Sequence, residues 1–239
     1  MTNSTTINKR IESFAWGEIE RGLDTNGWAI IPGLLTTVDC ENLKALYADD
    51  TAFRNRVIMA RHGYGRGEYR YFCYPLPLSV DNLRTSIYPH LAPIANRWND
   101  LMKIPARFPQ EHGAFLERCH AAGQLRPTPL LLQYGEGDYN CLHQDLYGEH
   151  LFPFQVAVLM SHPGQDFEGG EFVLTEQRPR MQSRVTVIPL QKGDAVVFAV
   201  NNRPAQGARG YYRMKLRHGV STIRAGHRHT LGIIFHDAL

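Results

Sequence analysis

A series of short apolar segments, rich in β-branched and aromatic residues, follows Pro129 and continues to the end of the chain. They are LLLQY, FQVAVLMS, EFVLTEQ, RVTVIPL, AVVFAV, YYRMKLRHGV and HTLGIIFH. Turn signals separate these segments, among them GEG, HPGQDFEGG, QKGD and RAG. Short strand candidates at this spacing predict a β-sandwich or a jelly roll.

The residues before this series are mostly helical in their spacing. We predict helices over residues 7–23, 36–50, 79–102 and 109–123, and strands over residues 27–33 and 68–76. Thr36 or Thr37 would cap the second of these helices. Pro93 is expected to kink the third helix, and Gly123 is expected to end the fourth.

Length and composition fit one globular domain over residues 1–239. We expect a mixed α+β protein, in which a helix-rich support (residues 1–125) braces a jelly-roll core (residues 126–239). The longest apolar runs, such as Ala195–Val200, are far too short to span a membrane, so no membrane partner is predicted. The pattern leaves the oligomeric state open.

The N-terminal residues contain no apolar stretch of the secretory type, so we predict no signal peptide. The cysteines Cys40, Cys73, Cys119 and Cys141 lie far apart and form no CxxC pair. This spacing argues against a structural zinc site and fits reduced thiols. A cytoplasmic location is therefore expected.

The charges are unevenly distributed, although the net charge is only +3. Residues 54–70 hold five arginines and a single acid, Glu68. Residues 195–236 hold neither aspartate nor glutamate but many arginines. These stretches are either solvated faces or anion-binding surfaces, and the sequence leaves both interpretations open.

His143 and Asp145 stand two residues apart in the stretch CLHQDLYG. In an extended strand, residues i and i+2 project from the same face, so an imidazole and a carboxylate at this spacing can bind one metal ion. A third ligand from elsewhere would complete the two-histidine, one-carboxylate set of non-haem Fe(II) oxygenases. Candidates for it are the downstream histidines His150, His162, His218, His227, His229 and His236.

Arg228 follows His218 by ten residues, across the turn signal AG. A hairpin there would bring Arg228 back into the sheet beside His218. A buried arginine needs an anionic partner, and its planar guanidinium suits a carboxylate. Thr230 would face the same side and donate another hydrogen bond, whereas His227 and His229 would face away.

These residues together resemble the Fe(II)- and 2-oxoglutarate-dependent dioxygenases, in the prolyl-hydroxylase-like branch. The resemblance rests on HQD at residues 143–145 and on HGVSTIRAGHR at residues 218–228. QYGEGDYNCLHQD is similar to the family's entry strand, where a tyrosine nine residues before the first histidine contacts the cosubstrate. Tyr134 has that position here. The stretches at residues 26–43, 167–176 and 192–200 also resemble the family.

The resemblance implies a double-stranded β-helix in which His143, Asp145 and His218 bind Fe(II). It implies that 2-oxoglutarate binds the metal through its keto acid, while its far carboxylate is held by Arg228 with help from Thr230 and Tyr134. The implied reaction uses O2, converts 2-oxoglutarate to succinate and carbon dioxide, and hydroxylates a substrate. The apolar side chains Leu142, Val220, Leu231 and Ile233 are expected to line the pocket.

Residues 53–77 are the candidate substrate selector, because arginines alternate there with tyrosines and with flexible glycines. We predict a lid loop in which Arg61, Arg66, Tyr69 and Arg70 contact the substrate. The stretch resembles a prokaryotic group of oxygenases thought to act on methyl groups of damaged DNA. The best-known nucleic-acid demethylases have a further arginine shortly after the cosubstrate arginine, and this chain has none after Arg228.

Three functions therefore remain open. The first is an oxygenase that acts on damaged or methylated nucleic acid. The second is a hydroxylase of a protein side chain or of a small anionic molecule. The third is a metal-binding jelly roll without turnover that acts as a sensor. The key residues could also have purely structural roles. His218 would then be a hydrogen-bonded core histidine, Arg228 half of a structural ion pair, and Tyr134 a core tyrosine.

Overall fold

The computed structural model describes residues 4–178, 180–208 and 210–239. Its α-helices are α1 (Ser4–Glu12), α2 (Trp16–Asn26), α3 (Thr37–Ala45), α4 (Leu78–Leu101) and α5 (His112–Ala121). Short 3₁₀ turns cover Leu46–Ala48, Asp50–Ala52 and Met59–Arg61. No helix within these ranges is both long enough and apolar enough to cross a lipid bilayer.

The strands alternate with turns through most of the chain. They are β1 (Trp28–Ile31), β2 (Phe53–Ile58), β3 (Gly65–Arg66), β4 (Glu68–Phe72), β5 (Leu130–Tyr134), β6 (Tyr139–His143), β7 (Phe154–Leu159), β8 (Phe167–Gly169), β9 (Phe172–Gln177), β10 (Arg184–Ile188), β11 (Ala195–Ala199), β12 (Asn202–Gly207), β13 (Gly210–Val220), β14 (Ile223–Gly226) and β15 (Arg228–Ile234). The predicted strands after Pro129 all occur, some of them shorter by a few residues.

Two antiparallel sheets form the core of the molecule. The major sheet has the order β1-β11-β7-β15-β5-β4-β2, and the minor sheet has the order β10-β9-β13-β6-β3, with β12 paired to β13. Strands β14 and β8 form a separate pair. Buried side chains from both sheets pack together in one cluster, among them Phe198 of the major sheet and Leu174 of the minor sheet. The arrangement confirms the predicted mixed α+β jelly roll.

The helices cover the outer face of the major sheet. Helix α4 buries Leu83, Ile87 and Leu91, which recur at the four-residue spacing that places side chains on one helix face. They belong to the same buried cluster as Leu231 and Ile233 of β15. Leu231 and Ile233 therefore face the helices, and the prediction that they line the pocket is wrong. Alternation along a strand is the reason, because Arg228 and Thr230 take the other face.

Two of the predicted helices are broken or shortened in the structure. The helix expected over residues 7–23 ends at Glu12 and restarts at Trp16. The break allows Phe14 and Trp16 to pack against the core, and the Trp16 indole donates a hydrogen bond to the Ile11 carbonyl. The helix expected over residues 36–50 ends at Ala45 and gives way to 3₁₀ turns.

The caps at the helix ends agree more closely with the prediction. Thr36 caps α3 through a reciprocal pair of hydrogen bonds with Asp39. Helix α4 continues through Pro93 as one helix, and the chain leaves α5 before Gly123, whose φ of 81° suits glycine.

Residues 53–77 are built into both sheets. The strand predicted over residues 68–76 occurs as β4, whereas strands β2 and β3 lie in the part before it, where a lid loop was expected. Strands β2 and β4 pair with each other, and β4 also pairs with β5 at the end of the major sheet. Strand β3 pairs with β6 of the minor sheet. Strands from the first half of the chain thus complete the sheets of the second half.

A buried ion pair joins α4 to the end of the chain. The guanidinium of Arg84 donates to Asp237 at 2.7 Å, and both side chains are at most 1% exposed. Tyr74 and His120 also contact the Asp237 carboxylate. Burial raises the pKa of Asp237, but Arg84 and the hydrogen bonds outweigh it and hold the pKa below its ordinary value.

We expect Asp237→Ala to lower the free energy of unfolding by about 3–5 kcal/mol, because it leaves the Arg84 guanidinium buried without a counter-charge. Urea denaturation monitored by circular dichroism measures this loss. The double variant Arg84→Met/Asp237→Ala should recover part of the stability. A single variant as stable as the wild type would show that the pair contributes nothing.

Candidate active site

Two histidines and one aspartate converge between neighbouring strands of the minor sheet. His218 of β13 lies directly opposite His143 of β6 in the antiparallel register, and Asp145 follows β6 by two residues. The Nε2 atom of His218 lies 3.4 Å from Asp145 Oδ2, and Nε2 of His143 lies 3.6 Å from Asp145 Oδ1. One ligand atom from each residue falls within 4.8 Å of the others.

Local hydrogen bonds orient two of these side chains. The Nδ1 atom of His143 lies 2.7 Å from the Cys141 carbonyl oxygen. Because a carbonyl only accepts, Nδ1–H of His143 is the donor, and this hydrogen bond holds the ring with Nε2 toward Asp145. The hydroxyl of Tyr147 donates to Asp145 Oδ1 at 2.6 Å, and Tyr71 lies 3.2 Å from the Tyr147 hydroxyl.

The electrostatic environment favours the forms that bind metals. Burial raises the pKa of Asp145, but His218, His143 and Tyr147 outweigh burial and lower that pKa, so the carboxylate is charged. Burial and the neighbouring His143 lower the pKa of His218, which keeps this imidazole neutral. A charged carboxylate beside the neutral imidazole of His218 belongs to the donor set that a divalent cation requires.

Arg228 and Thr230 project from β15 of the major sheet toward the same interior. Arg228 is 2% exposed, and its Nη1 donates to Thr230 Oγ1 at 2.5 Å. Its Nε has no hydrogen-bond partner, and no acid within the described residues forms an ion pair with it. The interpretation of Arg228 as half of a structural ion pair is therefore wrong.

Tyr134 lies beside this guanidinium. It is paired with Arg228 in the register of β5 and β15, and its buried ring lies 5.7 Å from the guanidinium carbon. The side-chain amide of Asn140 donates to the Tyr134 hydroxyl at 3.3 Å. The tyrosine thus has a structural partner and also faces the buried cation.

A cavity of about 340 Å³ connects the histidine–aspartate cluster with Arg228. Leu142 and Val220 line it as predicted, together with Tyr134 and Thr230. Further tyrosines line the same cavity, and the sequence analysis did not single out all of them. They are Tyr64, Tyr69, Tyr71 and Tyr147.

The predicted substrate contacts divide into two groups. Tyr69 lines the cavity. Arg61 and Arg66 are exposed outside the lining, and Arg66 lies 4.0 Å from Asp138. Arg70 points to the other face of β4, where it pairs with Asp50 and stacks on Tyr47, because strand neighbours face opposite sides.

Tyr147 is the contact that sequence reasoning missed. Its hydroxyl meets the carboxylate two residues before it, although the chain between them is not a regular strand. The sequence signal for it was an aromatic residue two positions after Asp145, which continues the two-residue spacing of His143 and Asp145.

The residues present fit a metal ion and a dicarboxylate. Two imidazoles and one carboxylate leave open coordination positions and suit Fe(II). The buried guanidinium at the other end of the cavity forms no ion pair with a described residue, and it suits the far carboxylate of a diacid.

The chain belongs to the oxygenase family described as catalysing oxidative methylation of damaged DNA, whose profile matches residues 67–238. Uncharacterized proteins from two strains of Mycobacterium tuberculosis are 48% identical to it over 167 residues, which is 69% of this chain and 72% of theirs.

Solved structures show the same fold at low sequence identity. A prolyl-4-hydroxylase from Pseudomonas putida superposes with a TM-score of 0.53 at 14% identity, over 94% of this chain and 99% of that chain. An oxidoreductase of the 2OG-Fe(II) oxygenase family from Burkholderia pseudomallei gives 0.54 at 17% identity, over 95% and 94%. A prolyl hydroxylase from Trichoplax adhaerens, in complex with a peptide fragment of hypoxia inducible factor, gives 0.58 at 14% identity, over 95% and 90%.

Family, fold and side chains together define an Fe(II)- and 2-oxoglutarate-dependent dioxygenase. The cluster of His143, Asp145 and His218 and the fold shared with 2OG-Fe(II) oxygenases imply Fe(II), 2-oxoglutarate and O2 as its cofactor and cosubstrates. The predicted resemblance and the predicted enzyme class are both confirmed.

Proposed function

We propose that this dioxygenase removes methyl groups oxidatively from damaged bases of nucleic acid. The observation that carries the proposal is the tyrosine-lined cavity in front of the histidine–aspartate cluster, in a chain of an oxygenase family associated with damaged DNA. Aromatic rings stack on bases of any sequence, and an enzyme that modifies a base must take it out of the stack into such a pocket.

In this proposal His143, Asp145 and His218 bind Fe(II). Arg228, with Thr230 and Tyr134, binds the far carboxylate of 2-oxoglutarate. Bound iron supplies the oxidation of a C–H bond by O2, coupled to decarboxylation of 2-oxoglutarate. Burial of the cavity floor excludes water from this chemistry, and the Tyr147 hydroxyl fixes the orientation of the carboxylate ligand.

The overall reaction balances as hydroxylation of an N-methyl group. One oxygen atom of O2 enters the methyl group and the other enters succinate, while carbon dioxide leaves 2-oxoglutarate. The resulting N-hydroxymethyl group breaks down to formaldehyde and the unmethylated nitrogen. The products are therefore succinate, carbon dioxide, formaldehyde and the repaired base.

The proposal is tested by incubating the iron-loaded protein with 2-oxoglutarate and candidate substrates. Methylated oligonucleotides should accelerate succinate release and yield an equal amount of formaldehyde, and unmethylated oligonucleotides should not. Acceleration by a peptide or by a small carboxylic acid, without formaldehyde, would favour the hydroxylase alternative. If no substrate causes turnover of 2-oxoglutarate, the metal-binding sensor is the one of the three functions that remains.

Tyr69→Leu should weaken the apparent affinity for a methylated oligonucleotide by about 10-fold, because stacking on one aromatic ring contributes roughly 1–3 kcal/mol. The rate of 2-oxoglutarate decay without substrate should equal that of the wild type. Tyr139→Leu is the matched control, because Tyr139 is 36% exposed on β6 and does not line the cavity. Equal effects of the two variants would contradict the stacking role.

We also propose a cytoplasmic location. All four cysteines are free thiols, and two of them, Cys40 and Cys119, are buried in the core. Unpaired cysteines of this kind are typical of proteins in a reducing compartment.

A further inference from the structure

A row of cations runs along the outer face of β13. Arg213, Lys215 and Arg217 are exposed, and they alternate with Met214, Leu216 and His218, which point inward. The alternation follows from the two-residue period of a strand. The row therefore extends along β13 as far as Arg217, the residue next to the candidate metal ligand His218. Arg217 and His218 point to opposite faces of the sheet.

Within the part of the chain that the structure describes, the three cations lack a counter-charge. Among the described residues, none of them forms an ion pair, whereas many other arginines do, for example Arg56, Arg84 and Arg97. Arg213 donates one hydrogen bond to the Met102 carbonyl and keeps its remaining donors. The residues paired with the row across the sheet are uncharged: Asn202 and Pro204 on β12, and Thr175 and Gln177 on β9.

The backbone of the row contacts a residue that lines the active-site cavity. Gln144 lines the cavity, and its side-chain amide donates to the Leu216 carbonyl at 2.7 Å, between Lys215 and Arg217. Leu142 also lines the cavity and is 45% exposed. The row and the cavity are therefore on opposite faces of the same strand and are joined through Gln144.

We propose that the row formed by Arg213, Lys215 and Arg217 binds the phosphate backbone of the nucleic-acid substrate. Alternate residues of an antiparallel strand stand about 6.8 Å apart, so the three side chains can contact different phosphates of one nucleic-acid strand. This inference rests on the proposed function and adds the surface that holds the substrate outside the cavity.

The test compares two triple variants that remove the same charge. Arg213→Gln/Lys215→Gln/Arg217→Gln removes the row, and Lys9→Gln/Arg118→Gln/Arg126→Gln removes three exposed cations elsewhere. Binding of a fluorescent single-stranded oligonucleotide is measured by anisotropy over a range of salt concentrations. We expect the slope of log K against log salt to fall by about 2 for the row variant, because each phosphate contact contributes about 0.7. The control variant should keep the wild-type slope.

A charge-preserving variant separates phosphate binding from packing. Arg213→Lys/Arg217→Lys keeps the charges, so it should keep the wild-type slope if the row binds phosphates. A thermal midpoint for the row variant equal to that of the wild type shows that the fold is intact. A row variant with the wild-type slope, or a control variant that loses as much, overturns the proposal.

The proposed function and this surface fail in different ways. If the wild type demethylates an oligonucleotide and the row variant binds it with an unchanged slope, the surface is wrong and the proposed function stands. If the wild type demethylates no oligonucleotide, the proposed function is wrong. If the wild type and the control variant show salt-dependent binding and the row variant does not, the surface is supported whether or not the wild type demethylates the oligonucleotide.

Discussion

Asp145→Asn is expected to weaken binding of Fe(II) by more than about 100-fold and to stop substrate-dependent succinate release. Removing a partner that merely orients a ligand typically costs 10–100-fold in metal affinity, and Asp145 is the only anion among the three converging groups of the described cluster. The amide is nearly isosteric but carries no charge. The loss should therefore come from the ligand set and not from the packing around it.

Tyr147→Phe provides the graded comparison for this variant. It removes the 2.6 Å hydrogen bond to Asp145 Oδ1 but leaves the carboxylate in place. We expect a loss of metal affinity of about 10–100-fold, which is smaller than the loss for Asp145→Asn. Equilibrium dialysis of the metal-free proteins measures both, with circular dichroism as the control for folding. Wild-type affinity in Asp145→Asn would show that the metal does not bind at this cluster.

The position of the candidate site followed from simple strand geometry. His143 ends β6, and Asp145 follows it by two residues, with the ligand atoms of both at one place. Arg228 and Thr230 share one face of β15 because they are two residues apart on a strand. The same rule should have excluded Leu231 from the pocket, since it alternates with Arg228 and Thr230. That error came from judging side chains by apolarity instead of by their register.

The choice of the third histidine could not come from local geometry. His218 is separated from His143 by a long stretch of chain, and the two meet because β13 pairs with β6. Strand pairing between distant segments depends on the topology of the whole sheet, which periodicity does not specify. The resemblance to a known family supplied that information before the fold did.

Residues 53–77 show where local composition misleads. The strand predicted over residues 68–76 occurs as β4, but the glycines and arginines before it predicted a loop. There β2 extends the major sheet, and Gly65 lies against the backbone of β6. A Cβ at Gly65 would come within 2.4 Å of the Tyr139 carbonyl oxygen, so this glycine permits close strand pairing. Tertiary contacts thus decided the structure of residues 53–67, which their composition marked as a loop.

Arg228→Met is expected to abolish detectable binding of 2-oxoglutarate and, at the same time, to leave the ligand-free protein at least as stable as the wild type. The guanidinium is buried, its Nε lacks a hydrogen-bond partner, and burial lowers its pKa to about 10. An unpaired buried charge costs several kcal/mol, whereas methionine fills a similar volume without that cost.

Binding of 2-oxoglutarate should reverse this order of stability. A carboxylate facing Arg228 would accept two charge-assisted hydrogen bonds, each contributing about 1.5–3 kcal/mol, so their loss weakens binding by on the order of 100-fold or more. At a concentration 100 times its dissociation constant, 2-oxoglutarate should stabilise the wild type by about 2.7 kcal/mol and the variant by almost nothing. Thermal unfolding of both proteins, with and without 2-oxoglutarate and with metal present, measures the difference.

Thr230→Val should show a smaller loss of 2-oxoglutarate binding than Arg228→Met, because Thr230 contributes one hydroxyl. Equal stabilisation of wild type and Arg228→Met would mean that the diacid binds elsewhere, and a parallel loss of metal binding would mean that Arg228 has a structural role.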